Sequence, residues 1–523
     1  MSIATTQPTN GQIGLLHGPW PAANPWSRHW PGPGRPASPA TVVAVLAATL
    51  VTALSVPLDR AGLGWFVTAL AGTAALIAAR VVRAPEAVPA LVGHRAGTGT
   101  PDRYFWAAAT VALLATGTFR AAGWLFVLCL LTATLTTALA LSSGRSLRSI
   151  VVTYALVPIA ASRGGLWMAR GAARLRGPGR GGDAMRVMAT VAVSVVLLVV
   201  FGALFVSADA AFARFFEAAI PDLSPVTIVR WVFVTLVAAP LLTAGAFLRA
   251  APPTPGRLDH TEGRKVGRLE WAIPLGLLVM LFAAFVAIQL AVLFGGAQHV
   301  VETEGLTYAE YARGGFWQLC VVTALTLVVL AGAARWAPRT ERADRILLRV
   351  VLGALATLTL VIVGSALHRM NLYTETYGLT RLRLLVAFCE GWFGLVLVMV
   401  LVAGIRIRAS WLPRVAIAAG VLALLGLTGA NPDGLIAENH VQRFERTQKI
   451  DFQYLADLSP DAVPALAGLD DADRRACLLD AIGAGMPADD WRGYNQARES
   501  ARALIAKYPP VSPSACAQMW YRY

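Results

Sequence analysis

Long apolar runs alternate with short polar segments along most of the chain. Each run is close to the ~20 residues that an α-helix needs to cross the hydrocarbon core of a bilayer. A run of that length with few charges predicts a membrane-spanning helix. We therefore expect an all-α, polytopic transmembrane helical bundle with spans at residues 41–57, 62–82, 104–119, 121–142, 185–206, 226–248, 271–294, 316–334, 347–367, 384–404 and 411–429.

This interpretation gives eleven spans, and residues 149–161 are a candidate twelfth. That stretch is apolar but short and is interrupted by Pro158, so a re-entrant or interfacial helix is an open alternative. Arginine favours cytoplasmic loops, and it clusters in alternate loops, at residues 163–186, 249–270, 335–349 and 405–414. The alternation predicts a protein of the cytoplasmic membrane whose chain from Asn431 onward lies outside.

The two ends of the chain differ in character from the spans. Residues 1–40 are rich in proline, glycine and tryptophan, which predicts a disordered leader with tryptophans at the membrane interface. A turn cluster at residues 431–434 ends the last span, and an amphipathic polar pattern follows it. We expect a transmembrane domain over residues 41–429 and a small, soluble, extracytoplasmic domain of helices over residues 430–523.

Composition agrees with the membrane interpretation and indicates which binding partners to expect. Of the 523 residues, 56% are hydrophobic and only 14% are charged, whereas soluble proteins have roughly 25% charged residues. The formal net charge of +15 resides in the loops between the spans. It therefore predicts contact between the cytoplasmic arginine-rich loops and anionic lipid headgroups, and it argues against nucleic-acid binding.

Two polar segments between predicted spans, residues 307–317 and 368–383, carry candidate binding residues. Both lie outside in the predicted topology, where bases are unusual, so we expect their charges to have partners. Two interpretations are open: an ion-paired lattice that joins spans, or a cationic site for an anion or a lipid headgroup. The candidates are Glu310, Arg313, His368, Arg369, Glu375, Arg381 and Arg383.

Two further polar residues, Gln289 and Glu390, fall inside predicted spans. A carboxylate in the hydrocarbon region is costly, so Glu390 is a candidate proton relay or ion site. The structural alternative is that Glu390 hydrogen-bonds to a neighbouring helix or pairs with a base such as Arg369.

The histidines and cysteines form no metal-binding or catalytic pattern. The histidines are scattered, and no HExxH, Walker, GxSxG or GxGxxG motif stands in the required setting. We therefore expect no metal, no cofactor and no catalytic residue. Cys477 and Cys516 lie in the C-terminal part, where an oxidising compartment would favour a disulfide that joins the chain end to a helix predicted at residues 470–482.

Several polar stretches resemble an uncharacterised bacterial family of polytopic membrane proteins, domain of unknown function 4173, which is close to the 4153 group. The resemblance covers roughly residues 190–510 and implies an architecture but no reaction. It rests on Tyr308 to Phe316, Arg369-Met370 with Tyr373, Tyr377-Gly378-Leu379-Thr380 with Arg381 and Arg383, Asn439 with Arg443, Asp451 with Tyr454-Leu455, and Ser459 to Pro464.

The sequence predicts a non-enzymatic scaffold or sensor of the cell envelope, whose C-terminal domain meets an envelope protein partner or a ligand. The alternative is a transporter or channel that uses Glu390, Gln289 and the polar outer loop 368–383. A membrane enzyme ranks third, because no nucleophile–base pair or metal cluster is visible in the chain.

Overall fold

A computed structural model describes most of the chain. The described residues are Trp30, 32–79, 100–141, 147–175, 224–252, 267–294, 316–338, 341–406 and 411–509, together with Ser194, Leu197, Phe201, Phe205, Asp209 and Cys516. Within these ranges the regular structure is helical throughout. The predicted all-α class is therefore confirmed for the described part of the chain.

The membrane part of the described chain contains helices α1 to α12. In order they are Pro39–Ser55, Leu63–Ala78, Thr100–Phe119, Gly123–Leu141, Leu147–Ala155, Val157–Leu175, Pro225–Ala250, Arg268–Phe294, Phe316–Trp336, Arg342–Tyr377, Arg381–Arg406 and Leu412–Gly429. Five shorter helices follow, α13 to α17: Pro432–Thr447, Phe452–Ala456, Val463–Leu466, Ala472–Ala484 and Gln496–Ile505. A 3₁₀ turn, Pro460–Ala462, leads into α15.

Seven of the described helices are long and apolar enough to cross a membrane, namely α4 and α7 to α12. They show a multi-pass membrane protein, as predicted. The predicted count of eleven or twelve spans is not confirmed. Helices α1 and α2 are apolar but shorter than a typical span, α3 has Asp102 in its first turn, and the run 185–206 falls almost entirely outside the described residues.

The membrane helices form two packed groups. The first group contains α1 to α4, α6 and α7, and the second contains α8 to α11. Helix α12 lies between them, because it contacts α11 on one side and α3 and α4 on the other. Its Val421 and Leu424 are buried against Trp106 and Leu125 of the first group. Leu355, Val386 and Leu397 are in the core of the second group.

Residues 30 and 32–40 of the predicted leader are described, and this part packs against the first group of helices. Residues 1–29 and 31 lie outside the described residues, so the disorder predicted for them stays a prediction. The indole of Trp30 is 5% exposed. It donates to the carbonyl of Ala251 at 2.8 Å and meets the ring of Phe247 edge-on at 5.4 Å. The guanidinium group of Arg163 lies over the ring of Trp30, and it donates to the Trp30 carbonyl at 2.8 Å. A proline-rich composition does not reveal that one large aromatic side chain finds a site of this kind.

The ambiguous stretch 149–161 is helical and forms most of α5 and the beginning of α6. Helix α6 then continues to Leu175, well into the segment predicted to be an arginine-rich loop. Its Trp167 and Ala160 are buried against α1 and α7, so this helix belongs to the first group. The arginines of residues 163–175 are therefore presented by a helix.

Residues 432–509 and Cys516, here called the C-terminal region, share one apolar core. Its fully buried members include Ile436, Leu455, Leu466 and Leu478. Cys477 of α16 is bonded to Cys516, with 5.6 Å between their Cα atoms and a separation of 39 positions in the sequence. Local signals position the helices: Asp471 caps α16 by accepting from the Arg474 backbone N–H at 3.0 Å, and Asn495 caps α17 in the same way.

Candidate functional site

Helix α10 is the longest described helix and carries much of the predicted binding loop. Its 36 residues span about 54 Å, whereas a hydrocarbon core is about 30 Å thick. Residues 368–377, predicted to be a loop, are therefore its last turns, and the connection to α11 is only residues 378–380. Gly378 makes this turn at φ 82°, and a Cβ atom there would lie 2.6 Å from Cε1 of His440. Both the positive φ and the contact require glycine.

The turn between α10 and α11 is bound to α13 through its backbone. The Leu379 N–H donates to Oδ1 of Asn439 at 3.0 Å, and the Leu379 carbonyl lies 2.9 Å from Nε2 of the buried His440. Arg443 donates to the carbonyl of Thr376 at 2.9 Å. These contacts place the C-terminal region against the end of the second group of membrane helices.

Asp433 lies at the centre of this junction and is fully buried. Arg381, the first residue of α11, binds it in a bidentate manner, with 3.0 Å from Nε to Oδ1 and 2.5 Å from Nη2 to Oδ2. The indole of Trp124, at the start of α4, donates to Oδ1 at 3.0 Å, and the Ser459 N–H donates to Oδ2 at 3.0 Å. One carboxylate therefore joins the first group, the second group and the C-terminal region. Bidentate charged contacts of this kind are both strong and directional.

A second buried carboxylate, Asp461, holds the region to the connection between α3 and α4. Its Oδ2 accepts from the N–H groups of Ala121 and Ala122 at 2.7 and 2.9 Å and from the Ser459 hydroxyl at 3.0 Å. Arg120 lies 3.7 Å from Oδ1 and also donates to the carbonyls of Thr428 and Gly429 at the end of α12. The C-terminal region thus satisfies the N–H groups of the two residues that immediately precede α4.

The two carboxylates differ electrostatically. Burial acts to raise the pKa of Asp433, but the hydrogen bonds and charge of Arg381 outweigh it and hold that pKa below its usual range. The contribution of Asp433 to stability is therefore present at neutral pH and is lost only as the pH falls through the lowered pKa. Burial raises the pKa of Asp461, since the Ala121 N–H and its other partners compensate less completely. Asp433 is thus the carboxylate held firmly as an anion.

The structure places the predicted outer-loop residues in separate environments. Arg383 donates to the Gly378 carbonyl and stacks over the ring of Tyr373 at 4.3 Å, whereas Arg369 donates to Oε1 of Gln289 at 2.6 Å. His368 and Glu375 are exposed on α10. Glu310 and Arg313 lie outside the described residues. Of the predicted set, Arg381 is the residue that the structure brings into the Asp433 junction.

Glu390 is fully buried inside the second group, ten residues into α11. The hydroxyl of Thr323 on α9 donates to Oε2 at 3.4 Å, and Cys320 on the same helix is a second hydrogen-bond partner. Oε1 has no hydrogen-bond partner among the described residues. Arg369, the base suggested as its partner, binds Gln289 instead, and Ser365 donates to the same amide oxygen at 3.2 Å.

The surface of the C-terminal region carries a groove between α13 and α15. Its volume is about 500 Å³. Leu435, Glu438, Gln442 and Glu445 are exposed on one face of α13 at helical spacing, and Pro464 and Ala465 form the facing wall. Among the described residues, no group of three or more His, Cys, Asp or Glu side chains is placed to hold a metal ion. The groove therefore exposes both acidic and apolar side chains.

Sequence reasoning missed most of the residues that build the junction. Asp433 lies in the turn cluster predicted at residues 431–434, and Asp461 lies in the family-like stretch Ser459 to Pro464, whereas Trp124 and Arg120 carried no signal. A usable signal was the density of turn-forming residues around two acids, at residues 431–434 and 459–461, since such acids often accept backbone N–H groups. Their partners lie far away in the chain, and spacing alone does not identify them.

The comparisons with known proteins identify a family but no activity. The family model of a domain of unknown function, DUF4153, matches residues 108–469. The predicted group, 4173, is a neighbour of this family and is not confirmed. No curated protein and no solved structure matches the chain. The matched range includes Arg120, Trp124, Arg381, Asp433 and Asp461, and the chain belongs to the DUF4153 family of domains of unknown function.

Proposed function

We propose that this protein is a non-enzymatic scaffold or sensor of the bacterial cell envelope. In this proposal the C-terminal region is a soluble helical domain outside the cytoplasmic membrane, where it binds an envelope protein or a ligand. The observation that carries the proposal is the Asp433 junction, in which Trp124 of one helix group and Arg381 of the other share one buried carboxylate. A C-terminal region joined to the membrane helices only by a flexible linker would not require such a contact.

The junction supports a fixed orientation of the C-terminal region. Removing either partner of a buried charge pair leaves an uncompensated charge, so the docked arrangement is strongly preferred over an undocked one. A fixed orientation presents the groove beside Glu438 and Gln442 at a constant angle to the membrane. Force or binding energy applied to the region would then reach both helix groups directly.

The distribution of arginines supports an outside location for the region. The region contacts the connections α1–α2, α3–α4 and α10–α11, which lie at one end of the membrane helices. At the opposite end of α10, Arg268 pairs with Asp344 at 2.5 Å, and Arg349 donates to the carbonyl of Ile405 at 3.1 Å. The loops predicted to be rich in arginine adjoin this opposite end, and the positive-inside rule assigns it to the cytoplasm, next to anionic headgroups.

Cysteine labelling in intact cells tests the proposed side. In a parent in which Cys129, Cys320 and Cys389 are replaced by alanine, we expect a membrane-impermeant maleimide to label Glu445→Cys in α13 and Tyr377→Cys at the end of α10. Arg342→Cys, at the other end of the same helix, should react only after permeabilisation. Because both ends of one spanning helix are compared, the reverse pattern would place the region in the cytoplasm and contradict the proposal.

A transporter or channel is the second candidate, and Glu390 is the observation that favours it. The carboxylate is fully buried among membrane helices and has one oxygen without a hydrogen-bond partner in the described structure. Such a group binds and releases a proton readily when a pathway reaches it. The transporter proposal therefore rests on one buried carboxylate, whereas the scaffold proposal rests on the several contacts that build the Asp433 junction.

The substitution Glu390→Gln separates the two functions because it keeps the shape of the side chain and removes its titration. If the protein is a scaffold, we expect the variant to complement the envelope phenotype of a deletion strain, whereas Glu438→Arg combined with Gln442→Arg in the groove should fail at normal expression. If it is a transporter, Glu390→Gln should abolish proton flux in proteoliposomes and fail to complement. Asp480→Asn, an exposed carboxylate-to-amide change, is the matched control.

A further inference from the structure

A loop between α16 and α17, residues 487–495, caps the beginning of α2. The carbonyls of Tyr494 and Arg492 accept from the N–H groups of Leu63 and Gly64 at 3.0 and 2.9 Å. A helix cannot satisfy its own first N–H groups, and the N-cap residue Gly62 has no side chain that would do so. A Cβ atom on Gly62 would lie 2.5 Å from the Arg492 carbonyl oxygen, so the close approach requires glycine.

Buried side chains hold the same loop in place. Arg498, which is 5% exposed, donates to Oδ2 of Asp489 at 2.8 Å and to the carbonyl of Ala61 at 3.0 Å. Arg60 reaches Oδ1 of Asp489 at 3.3 Å. The buried amide of Asn495 donates to the carbonyls of Gly117 and Arg120, at 2.8 and 2.9 Å. The loop therefore sits at a fixed height relative to the ends of α2 and α3.

Two aromatic side chains of this loop are exposed, although the loop itself is held by many contacts. Trp491 is 55% exposed and Tyr494 is 42% exposed. Beside them, Leu58 in the α1–α2 connection and Phe119, the last residue of α3, are 49% and 55% exposed. A cluster of exposed apolar side chains on a protein surface marks a site of contact with a partner or with a membrane.

We infer that residues 487–495 lie in the interfacial layer of the bilayer, with the rings of Trp491 and Tyr494 against the lipid headgroups. Tryptophan and tyrosine favour this layer because their rings are apolar and their tips are polar. Asn495 of the loop donates to the carbonyl of Arg120, three residues before α4, and α4 is long and apolar enough to cross a membrane, so the loop lies near the end of the hydrocarbon region. Most of the charged side chains at the loop are paired within the protein: Arg60 with Asp59, Arg492 with Asp490, and Arg498 with Asp489. The contact therefore does not require anionic lipid.

The partner of this surface is thus the lipid bilayer, and the contact holds one edge of the C-terminal region flat on the membrane. It is independent of whatever the groove of the region binds. Together with the junction at Asp433, it gives the region two attachments, one to protein and one to lipid. Two attachments restrict tilting, which a single one does not.

Depth-dependent quenching of a fluorophore tests the inference on the full-length protein in phosphatidylcholine nanodiscs. An environment-sensitive label is attached at Trp491→Cys or, as a second variant, at Tyr494→Cys, in the parent that lacks Cys129, Cys320 and Cys389. We expect emission at a shorter wavelength than from a label at Glu445→Cys. We also expect strong quenching by a lipid with a nitroxide near the headgroup, and severalfold weaker quenching by aqueous iodide.

Two results would overturn the inference. Iodide quenching at residue 491 equal to that at residue 445 would place the loop in water. Protection from both quenchers at residues 491 and 494 would mean that protein covers the surface, either a second copy or another segment of the chain. The label at Glu445→Cys, in a separate variant, gives the value for full exposure to water. A circular dichroism spectrum equal to that of the parent shows that each labelled variant is folded, so neither result is confused with a failure to fold.

Discussion

Replacing Asp433 by asparagine is expected to loosen the C-terminal region by about 3 kcal/mol, because Arg381 then lacks its anion at a largely buried site. The side chain of Arg381 is 30% exposed, so water compensates part of the loss and the effect stays near the lower end for buried pairs. Since every 1.4 kcal/mol is a factor of ten, amide hydrogens of α13 and α14 should exchange about a hundredfold faster. Hydrogen exchange with mass spectrometry measures this directly.

The matched comparisons separate a lost ion pair from a general weakening. Asp480→Asn makes the same chemical change on an exposed part of α16 and should leave the exchange rates unchanged. Arg381→Met should destabilise the C-terminal region by at least as much free energy as Asp433→Asn. The double variant should destabilise it by less than the sum of the two single effects. Additive effects would mean that the two residues do not act through each other.

Removing the Cys477–Cys516 bridge should destabilise the C-terminal region by a similar or larger amount. The bridge closes a loop of 39 residues, and the chain-entropy relation assigns about 4 kcal/mol to a loop of this length. We expect Cys477→Ala combined with Cys516→Ala to speed exchange in α16 and to make the chain after residue 505 accessible to protease. The wild-type protein should behave in the same way after reduction.

Reductant provides the control for this prediction. The double alanine variant has no bridge to break, so adding a thiol should not change its exchange rates or its cleavage. Both sulfur atoms are in the apolar core of the region, where Cys477 is 2% exposed and Cys516 is 8% exposed. A wild-type protein whose exchange in α16 is insensitive to full reduction would show that packing alone holds the chain end.

Apolar periodicity predicted the membrane helices well because it reports on the solvent around them. The runs at 226–248, 271–294 and 384–404 all fall within long described helices. Hydropathy does not separate a polar helix from a polar loop, so residues 368–377 were assigned to a loop although α10 continues through them. The same limitation applies to α6, whose arginines suggested a connecting segment.

The junction was beyond sequence reasoning for a different reason. Arg381 was recognised as a base in need of a partner. Its partner Asp433 is 52 residues later in the sequence, after the whole of α12. The turn residues around Asp433 suggest that it accepts N–H groups, but nothing in spacing or composition identifies Arg381 as its partner. The sequence also gives no sign of the role of Trp124, because a tryptophan near the end of a span is already expected from its preference for the membrane interface.

The shared carboxylate has a consequence for the movements open to this protein. Transporters that work by alternating access rock one helix bundle against the other around a central site. Here, separation of the two helix groups on the side of the C-terminal region would force Asp433 to release either Trp124 or Arg381. Any rocking is therefore hinged at Asp433. At the opposite end, the Arg268–Asp344 pair joins α8 and α10 within the second group, so it would move with that group rather than hold the two groups together.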